Sequence, residues 1–293
     1  MRVSIIGSGI VGTATGIGLA KLGNPVIFYD VDKDRVQSIC NSNRRATFQI
    51  DEAVGQSDIS FVSVPTPFDG KQMDVSYIKS AVATLAGSLA KKDQYHLVVV
   101  KSTVLPNTTQ NVIIPLLEEV SGKKAGSQVG VCVNPEFLTE INQTWTDSTE
   151  FSRDFFTEDR IVIGEFDRKS GDLLEELYEN SKIPIIRTNM RTAETIKLAC
   201  NCALASRISY WNEIFYICQF LRVDSNLVAS VAAMDKRIGK YGTVHGKAFG
   251  GKCLPKDLQA FVEFSKAIGH EPLLLKAVLE VNNRIKTERG VRE

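Results

Sequence analysis

One cysteine has neighbours suited to chemistry. The stretch Phe249-Gly250-Gly251-Lys252-Cys253-Leu254-Pro255-Lys256-Asp257 sets a thiol between a glycine pair and a Pro-Lys-Asp turn, with cations at Lys252 and Lys256. A thiol attacks as its thiolate, and nearby positive charge draws its pKa down from about 8.5. The glycines let backbone and substrate approach closely, and Pro255 suits a turn or the first turn of a helix. The plainer reading is a buried cysteine beside a turn, because cysteine is among the most buried residue types.

Two helical pairs carry further polar chemistry. Asn134 is a good N-cap with Pro135 at the first helical position, which predicts a helix placing Glu136 and Glu140 four apart on one face. A carboxylate there can handle protons, although first-turn glutamates commonly only complement the helix dipole. Lys197 and Asn201 are likewise four apart, flanked by Ile196, Leu198 and Ala199. An ammonium and a carboxamide on one half-buried face can hold a developing oxyanion, whereas a surface lysine would merely snorkel.

The fourth constellation lies at the N-terminus. Val3-Ser4-Ile5-Ile6 predicts a strand, followed by Gly7-Ser8-Gly9-Ile10-Val11-Gly12, a helical pattern to Leu22, and a second strand Val26–Tyr29 ending at Asp30. The three glycines permit a tight turn, close approach of a pyrophosphate and close strand–helix packing. The helix N-terminus attracts phosphate, and Asp30 would accept from ribose hydroxyls. Asp30 repels a 2′-phosphate and no Arg directly follows it, so NAD is preferred to NADP, although Arg35 stands against that preference.

The elements that must position these groups alternate along the first half. Apolar strands at 59–64, 96–100, 130–133 and 160–164, with a helix over 74–91, predict an α/β fold with a doubly wound parallel sheet. In such sheets ligands sit beyond the carboxyl ends of the strands, where Gly7–Gly12, Pro65-Thr66-Pro67, Ser102-Thr103 and Asn134–Glu140 all lie. After about residue 187 the pattern turns helical, with one long helix over 192–222 and shorter ones near 225–234, 256–268 and 272–288. Two domains are expected, 1–187 binding the dinucleotide and 188–293 helical.

The totals narrow the function. With 43% hydrophobic and 24% charged residues the composition is that of an ordinary globular protein, and a net charge of +1 offers no footprint for nucleic acid or an anionic membrane. No apolar run reaches the roughly 18 residues of a membrane span. Six cysteines and three histidines show no metal-ligand spacing, so no metal is expected, and reduced thiols in a cytoplasm are.

Taken together, the motifs resemble the UDP-glucose/GDP-mannose dehydrogenase family. They are the glycine turn, Val64-Pro65-Thr66-Pro67, Lys101-Ser102-Thr103-Val104, Asn134–Glu140, Asp159–Gly164, Lys197-Leu198-Ala199-Cys200-Asn201, Asp235-Lys236-Arg237-Ile238-Gly239 and Phe249–Asp257, in the family's order. The resemblance implies two-fold oxidation of a nucleotide-sugar primary alcohol to a uronic acid, of UDP-glucose or UDP-N-acetylhexosamine type, with two NAD reduced. Cys253 would form a thiohemiacetal and then a thioester. Lys197 and Asn201 would stabilise oxyanions, Glu140 would be the acid/base, Thr103 and Asp257 would position water, and Glu136 would sit by the sugar. Gly7, Gly9, Ile10, Val11, Gly12, Asp30, Arg35, Thr66 and Thr103 would line the NAD site. Phe137, Leu138, Phe249, Gly250 and Arg237 would meet the substrate, Arg237 that of a neighbouring subunit, which implies a homodimer through the helical domain.

Two departures stand out. The segment from Glu140 to Asp159 is longer than the family pattern, contains Trp145, and has Glu158 where a proline is customary. The sequence given ends at Glu293, without the second Rossmann-like, nucleotide-binding domain of the family. An NAD-binding dimeric fragment or regulatory protein without turnover, and a single-step hydroxyacid dehydrogenase with a helical second domain, are the alternatives. Cys253 and the Glu136/Glu140 pair argue against the latter.

Overall fold

The computed structural model describes residues 1–138, 145–146 and 154–292. Its chain forms two compact units, Met1–Pro67, Asp74–Leu138 and Arg153–Lys197 in the first, and Phe68–Met73, Thr139–Ser152 and Leu198–Glu293 in the second. The division between Lys197 and Leu198 falls inside one helix.

The first unit is built on an eight-stranded sheet, in the order β3-β2-β1-β4-β5-β6-β7-β8. Its strands are β1 (Val3–Ile6), β2 (Val26–Tyr29), β3 (Ala46–Thr47), β4 (Ile59–Val62), β5 (His96–Val100), β6 (Val129–Val133), β7 (Ile161–Glu165) and β8 (Ile185–Asn189). Helices α1 (Ile10–Lys21), α2 (Lys33–Asn41), α3 (Ile50–Gly55), α4 (Ser76–Leu89), α5 (Ile114–Ser121) and α6 (Arg168–Tyr178) form the crossovers and flanks. Side chains alternate across a strand, so each central strand feeds two cores. In β5, Leu97 and Val99 pack with Val3, Ile5, Phe28, Leu19 of α1 and Leu174 of α6. Val98 and Val100 pack on the other face with Ile6, Val62, Ile78 and Leu85 of α4 and Leu117 of α5. Near-continuous apolar runs in β4 to β6 follow from burial on both faces.

The sheet departs from the expected parallel pattern at one place. Strands β1 to β6 are parallel, but β7 is antiparallel to β6, with β8 parallel to β7. An antiparallel strand brings its amino end to the carboxyl end of its neighbour. The residues just before Ile161 therefore lie beside the loop that follows β6, where Glu158 meets the Phe137 amide. Strand β8 carries no strong apolar run and was not anticipated from the sequence.

The second unit contains the body of α7 (Met190–Leu221), α8 (Ser225–Ala232), α9 (Leu254–Ala267), α10 (Leu273–Arg289) and a two-stranded parallel pair, β9 (Ala248–Phe249) with β10 (Val291–Arg292). Cys202, Ala205 and Ile208 of α7 pack with Phe249, Leu258 and Val262 of α9, Val278 of α10 and Trp145. Ala248 and Ile285 pack with Tyr216 in a smaller core. Among the described residues no helix is long and apolar enough to cross a membrane.

Candidate active site

In the first unit the carboxyl ends of the parallel strands are stitched together. A Cβ on Gly7, which has φ +92°, would lie 2.5 Å from the Ser63 carbonyl oxygen, and one on Gly12 would overlap the Gly7 carbonyl. Glycine is therefore required at both by backbone contact. Ser102 Oγ accepts from the Val64 amide at 2.9 Å and donates to the Val64 carbonyl at 2.7 Å. Thr66 Oγ1 donates to the Thr103 carbonyl at 2.6 Å. The loops after β1, β4 and β5 thus meet at one edge, as their positions in the sequence imply.

That edge fits a dinucleotide. Helix α1 starts at the Gly9 N-cap with no side chain capping it, leaving first-turn amides toward an anion, and Ile10 is 57% exposed there. A Cβ on Gly9 would meet only the Arg35 guanidinium, at 3.2 Å. Asp30 is buried at the end of β2, accepting from the Ser8 amide at 2.7 Å and the Asp32 amide at 3.1 Å. Arg35 Nε stands 3.8 Å from its carboxylate. An uncapped helix start, a glycine whose Cβ would meet no backbone and a carboxylate one strand over supply what a pyrophosphate and a ribose require.

The loop after β6 corrects one expectation. Residues 134–138 are irregular rather than helical, so Glu136 does not stand in a first helical turn. The Asn134 carboxamide is spent on tertiary bonds instead of capping. Its Oδ1 accepts from Lys101 Nζ at 3.0 Å and Tyr178 OH at 2.7 Å, and its Nδ2 donates to the Val162 carbonyl at 2.8 Å. The loop's own amides find carboxylates: Leu138 donates to Glu136 at 2.8 Å and Phe137 to Glu158 at 2.8 Å. Glu140 lies outside the described residues.

Two buried charges meet here. Lys197 Nζ of α7 donates to Glu136 Oε1 at 3.0 Å, with both side chains almost fully buried. Burial alone would raise Glu136, but Lys197, bonded to it, and Lys101 hold its carboxyl below the usual range. The Phe137 ring lies between two cations, 4.1 Å from the Arg160 guanidinium and 5.5 Å from Lys197 Nζ. The surface-lysine reading of Lys197 fails on its burial.

In the second unit, Cys253 is the N-cap residue of α9 with no side-chain capping bond, and it is exposed rather than packed in hydrocarbon. Pro255 falls within the first turn. The Asp257 amide donates to the Cys253 carbonyl at 2.9 Å, closing that turn. Asp257 is buried, pairs with Lys256, and accepts from Asn201 Nδ2 at 2.6 Å. Cys253 and Asn201 are therefore both bonded to Asp257, the cysteine through backbone and the asparagine through the carboxylate.

The chain leading to Cys253 is held by two buried asparagines absent from the sequence-derived list. Asn212 accepts from the Gly246 amide at 2.8 Å and donates to the Lys247 carbonyl at 2.9 Å. Asn282 accepts from the Phe249 amide at 2.8 Å and donates to its carbonyl at 3.1 Å. Their helical contexts, within apolar stretches of α7 and α10, were the available signal. Arg237 is exposed, bonds Asp235 of its own chain at 2.6 Å, and borders a 310 Å³ cleft with Arg207, Tyr210, Trp211 and Leu274.

Fold and donor set together define a Rossmann-type dinucleotide-binding protein. Residues 1–44 and 38–182 match the UDP-glucose/GDP-mannose dehydrogenase family, NAD binding domain, and residues 191–284 match that family's central domain. The chain belongs to the UDP-glucose/GDP-mannose dehydrogenase family, and its cofactor is NAD. It is 37% identical to UDP-glucose 6-dehydrogenase AglM of Haloferax volcanii, over 97% of this chain and 70% of that protein. It is 36% identical to GDP-mannose 6-dehydrogenase of Pseudomonas savastanoi pv. phaseolicola, over 96% and 68%. Among solved structures, a UDP-glucose dehydrogenase from Pyrobaculum islandicum matches with TM-score 0.88 and 34% identity, over 97% of this chain and 68% of that one. A ternary complex of the Pseudomonas aeruginosa GDP-mannose dehydrogenase matches with TM-score 0.73 and 33% identity, over 98% and 70%.

Proposed function

We propose that the protein oxidises the C6 alcohol of a nucleotide sugar twice, to the uronic acid, through a covalent intermediate on Cys253. The observation that carries this reading is the exposed Cys253 at the start of α9, with Asp257 one turn on and hydrogen-bonded to Asn201. In this reading residues 1–187 bind NAD and 188–293 supply the cysteine. Gly7, Gly9, Ile10, Val11, Gly12, Asp30, Arg35, Thr66 and Thr103 hold the cofactor, which when bound accepts the hydride lost in each oxidation.

The chain's own residues do the rest. The Cys253 thiolate adds to the aldehyde carbon, forming a C–S bond and a thiohemiacetal whose oxygen Lys197 and Asn201 stabilise. Oxidation of that adduct leaves a thioester. Water positioned by Thr103 and Asp257 then attacks its carbonyl, with Glu140 as acid/base, so the C–S bond breaks and the uronic acid and thiol separate. The thiol matters because it retains the aldehyde between the two oxidations. Glu136, paired with Lys197, sits by the sugar, while Phe137, Leu138, Phe249 and Gly250 contact the substrate.

The same reading makes the protein a cytoplasmic homodimer through its helical part, with Arg237 reaching the neighbouring subunit's substrate. Six reduced thiols support the compartment. Exposed Phe220 (83%), Leu227 (61%), Val231 (56%) and Met234 (79%) on and beside α7 and α8 support a covered face. The deciding experiment counts NADH per nucleotide sugar consumed, with UDP-glucose, UDP-N-acetyl sugars and GDP-mannose. Two per sugar are expected from the parent, and Cys253→Ala should lose full turnover to the uronic acid, with NAD affinity retained. One per sugar, or uronic acid from Cys253→Ala at the parent rate, refutes the thioester route.

A further inference from the structure

We propose that Glu158 is a positioning residue that holds the Asn134–Leu138 loop by two routes: its carboxylate takes the Phe137 amide directly, and its charge keeps the buried Lys101 ammonium on the loop's first residues. The inference rests on the preceding reading, in which this loop brings Glu136 and Phe137 to the sugar.

The geometry follows from the reversed strand. Because β7 runs antiparallel to β6, the segment entering β7 lies beside the loop leaving β6. Asp154 organises that segment, accepting from the Phe156 amide at 2.8 Å and the Thr157 amide at 2.9 Å. Glu158 leaves this turn and reaches back across the two strand ends to the Phe137 amide, at 2.8 Å. The chain thus places a half-buried carboxylate at the entrance to β7.

The second route is electrostatic. Lys101 follows β5 with only 4% of its surface exposed, and its Nζ donates to Asn134 Oδ1 at 3.0 Å and Pro135 O at 3.5 Å. Both acceptors are neutral, so burial pulls its pKa down, opposed first by Glu158 and then by Glu136, while Lys197 adds to the depression. Glu136 already bonds Lys197 directly, leaving Glu158 as the carboxylate that balances Lys101. Burial in turn raises Glu158, countered by Lys101 and the Phe137 amide. Tyr178, pushed up by burial and then by Glu158, stays a neutral donor to Asn134. Among the described residues, the Lys101 and Lys197 ammoniums face the Glu136 and Glu158 carboxylates; removing the Glu158 charge takes away one that favours a charged Lys101, and a charged donor holds its acceptor more strongly than a neutral one.

Two substitutions separate the routes. Glu158→Gln keeps a carbonyl acceptor and removes the charge, whereas Glu158→Asp keeps the charge and shortens the reach. Competitive acetylation across pH, read by peptide mass spectrometry, should place the Lys101 curve about one pH unit lower in Glu158→Gln and near the parent in Glu158→Asp. Hydrogen exchange of the peptide over 134–138 should quicken about tenfold in Glu158→Asp and little in Glu158→Gln. In turnover, the alkaline limb of kcat/KM should move down with the Lys101 curve in Glu158→Gln alone. An unmoved Lys101 curve in Glu158→Gln overturns the charge route, and unmoved exchange in Glu158→Asp overturns the direct one. If the parent turns over no nucleotide sugar, the proposed function fails while acetylation and exchange still decide the role of Glu158.

Discussion

Lowering the pH should weaken the first unit through one histidine at the opposite, amino-terminal edge of the sheet. His96 opens β5 with 1% of its surface exposed. Lys92 Nζ lies 3.1 Å from its Nδ1 and also donates to the Val54 and Ser57 carbonyls. An ammonium can only donate, so Nδ1 accepts and Nε2 carries the proton toward Ser60 Oγ, 2.7 Å away, which continues to Ser4 Oγ at 2.6 Å. A second proton would put two cations in contact under the sheet. Burial first, and then Lys92, pull the His96 pKa from 6.5 to about 3. The folded value is depressed, so the stability is complete above the unfolded pKa of 6.5 and is lost as pH falls toward 3. One unit corresponds to about 1.4 kcal/mol, so this group alone costs about 2 kcal/mol at pH 5 and about 4 kcal/mol at pH 3. His96→Leu removes the titration and leaves Lys92 its two carbonyls and Ser60 its serine partner. Both tryptophans, Trp145 and Trp211, lie in the second unit, so the first is best followed by urea-dependent hydrogen exchange of peptides covering β4 and β5. Between pH 7.5 and 5 the parent should lose about 2 kcal/mol more than the variant. Equal losses in the two proteins would refute the assignment of the acid sensitivity to His96.

Two other perturbations probe the cofactor edge and the cysteine loop. Asp30→Ala removes the acceptor for the Ser8 and Asp32 amides as well as the carboxylate proposed to meet the ribose, so NAD should bind about tenfold or more weakly by calorimetry; unchanged affinity would remove Asp30 from the proposed site. Asn282→Ala leaves the buried Phe249 amide and carbonyl without their partner and should cost about 2 kcal/mol of stability, with a changed rate of Cys253 alkylation by iodoacetamide. A parental alkylation rate in a folded Asn282→Ala would show that this clamp does not position the cysteine.

Much of the site was legible because its chemistry is local. The glycine turn, the acid at the end of β2 and the Gly-Gly-Lys-Cys-Leu-Pro-Lys-Asp run each state their purpose within a few residues. Lys197 and Asn201 could be paired from helical spacing, but only their burial separated an internal pair from a surface one. The loop after β6 was misread as a helix because Asn134 and Pro135 fit a helix start on propensity. Lys101, Tyr178 and Val162 claimed the Asn134 carboxamide first. Tertiary hydrogen bonds outweigh a capping preference worth about 1 kcal/mol.

From the chain's order of residues alone came the alternation of strand and helix, the dinucleotide turn and the cysteine proposed as the nucleophile. Each depends on backbone conformations and periodicities that neighbours within a turn or a strand dictate. What folding decided was which distant groups share a space: the reversal of β7, Glu158 carried to Phe137, Lys101 buried against Asn134, and Asn212 and Asn282 closed on the cysteine loop. Those contacts join residues far apart in sequence, and burial gives them their strength, so spacing along the chain carries almost no trace of them.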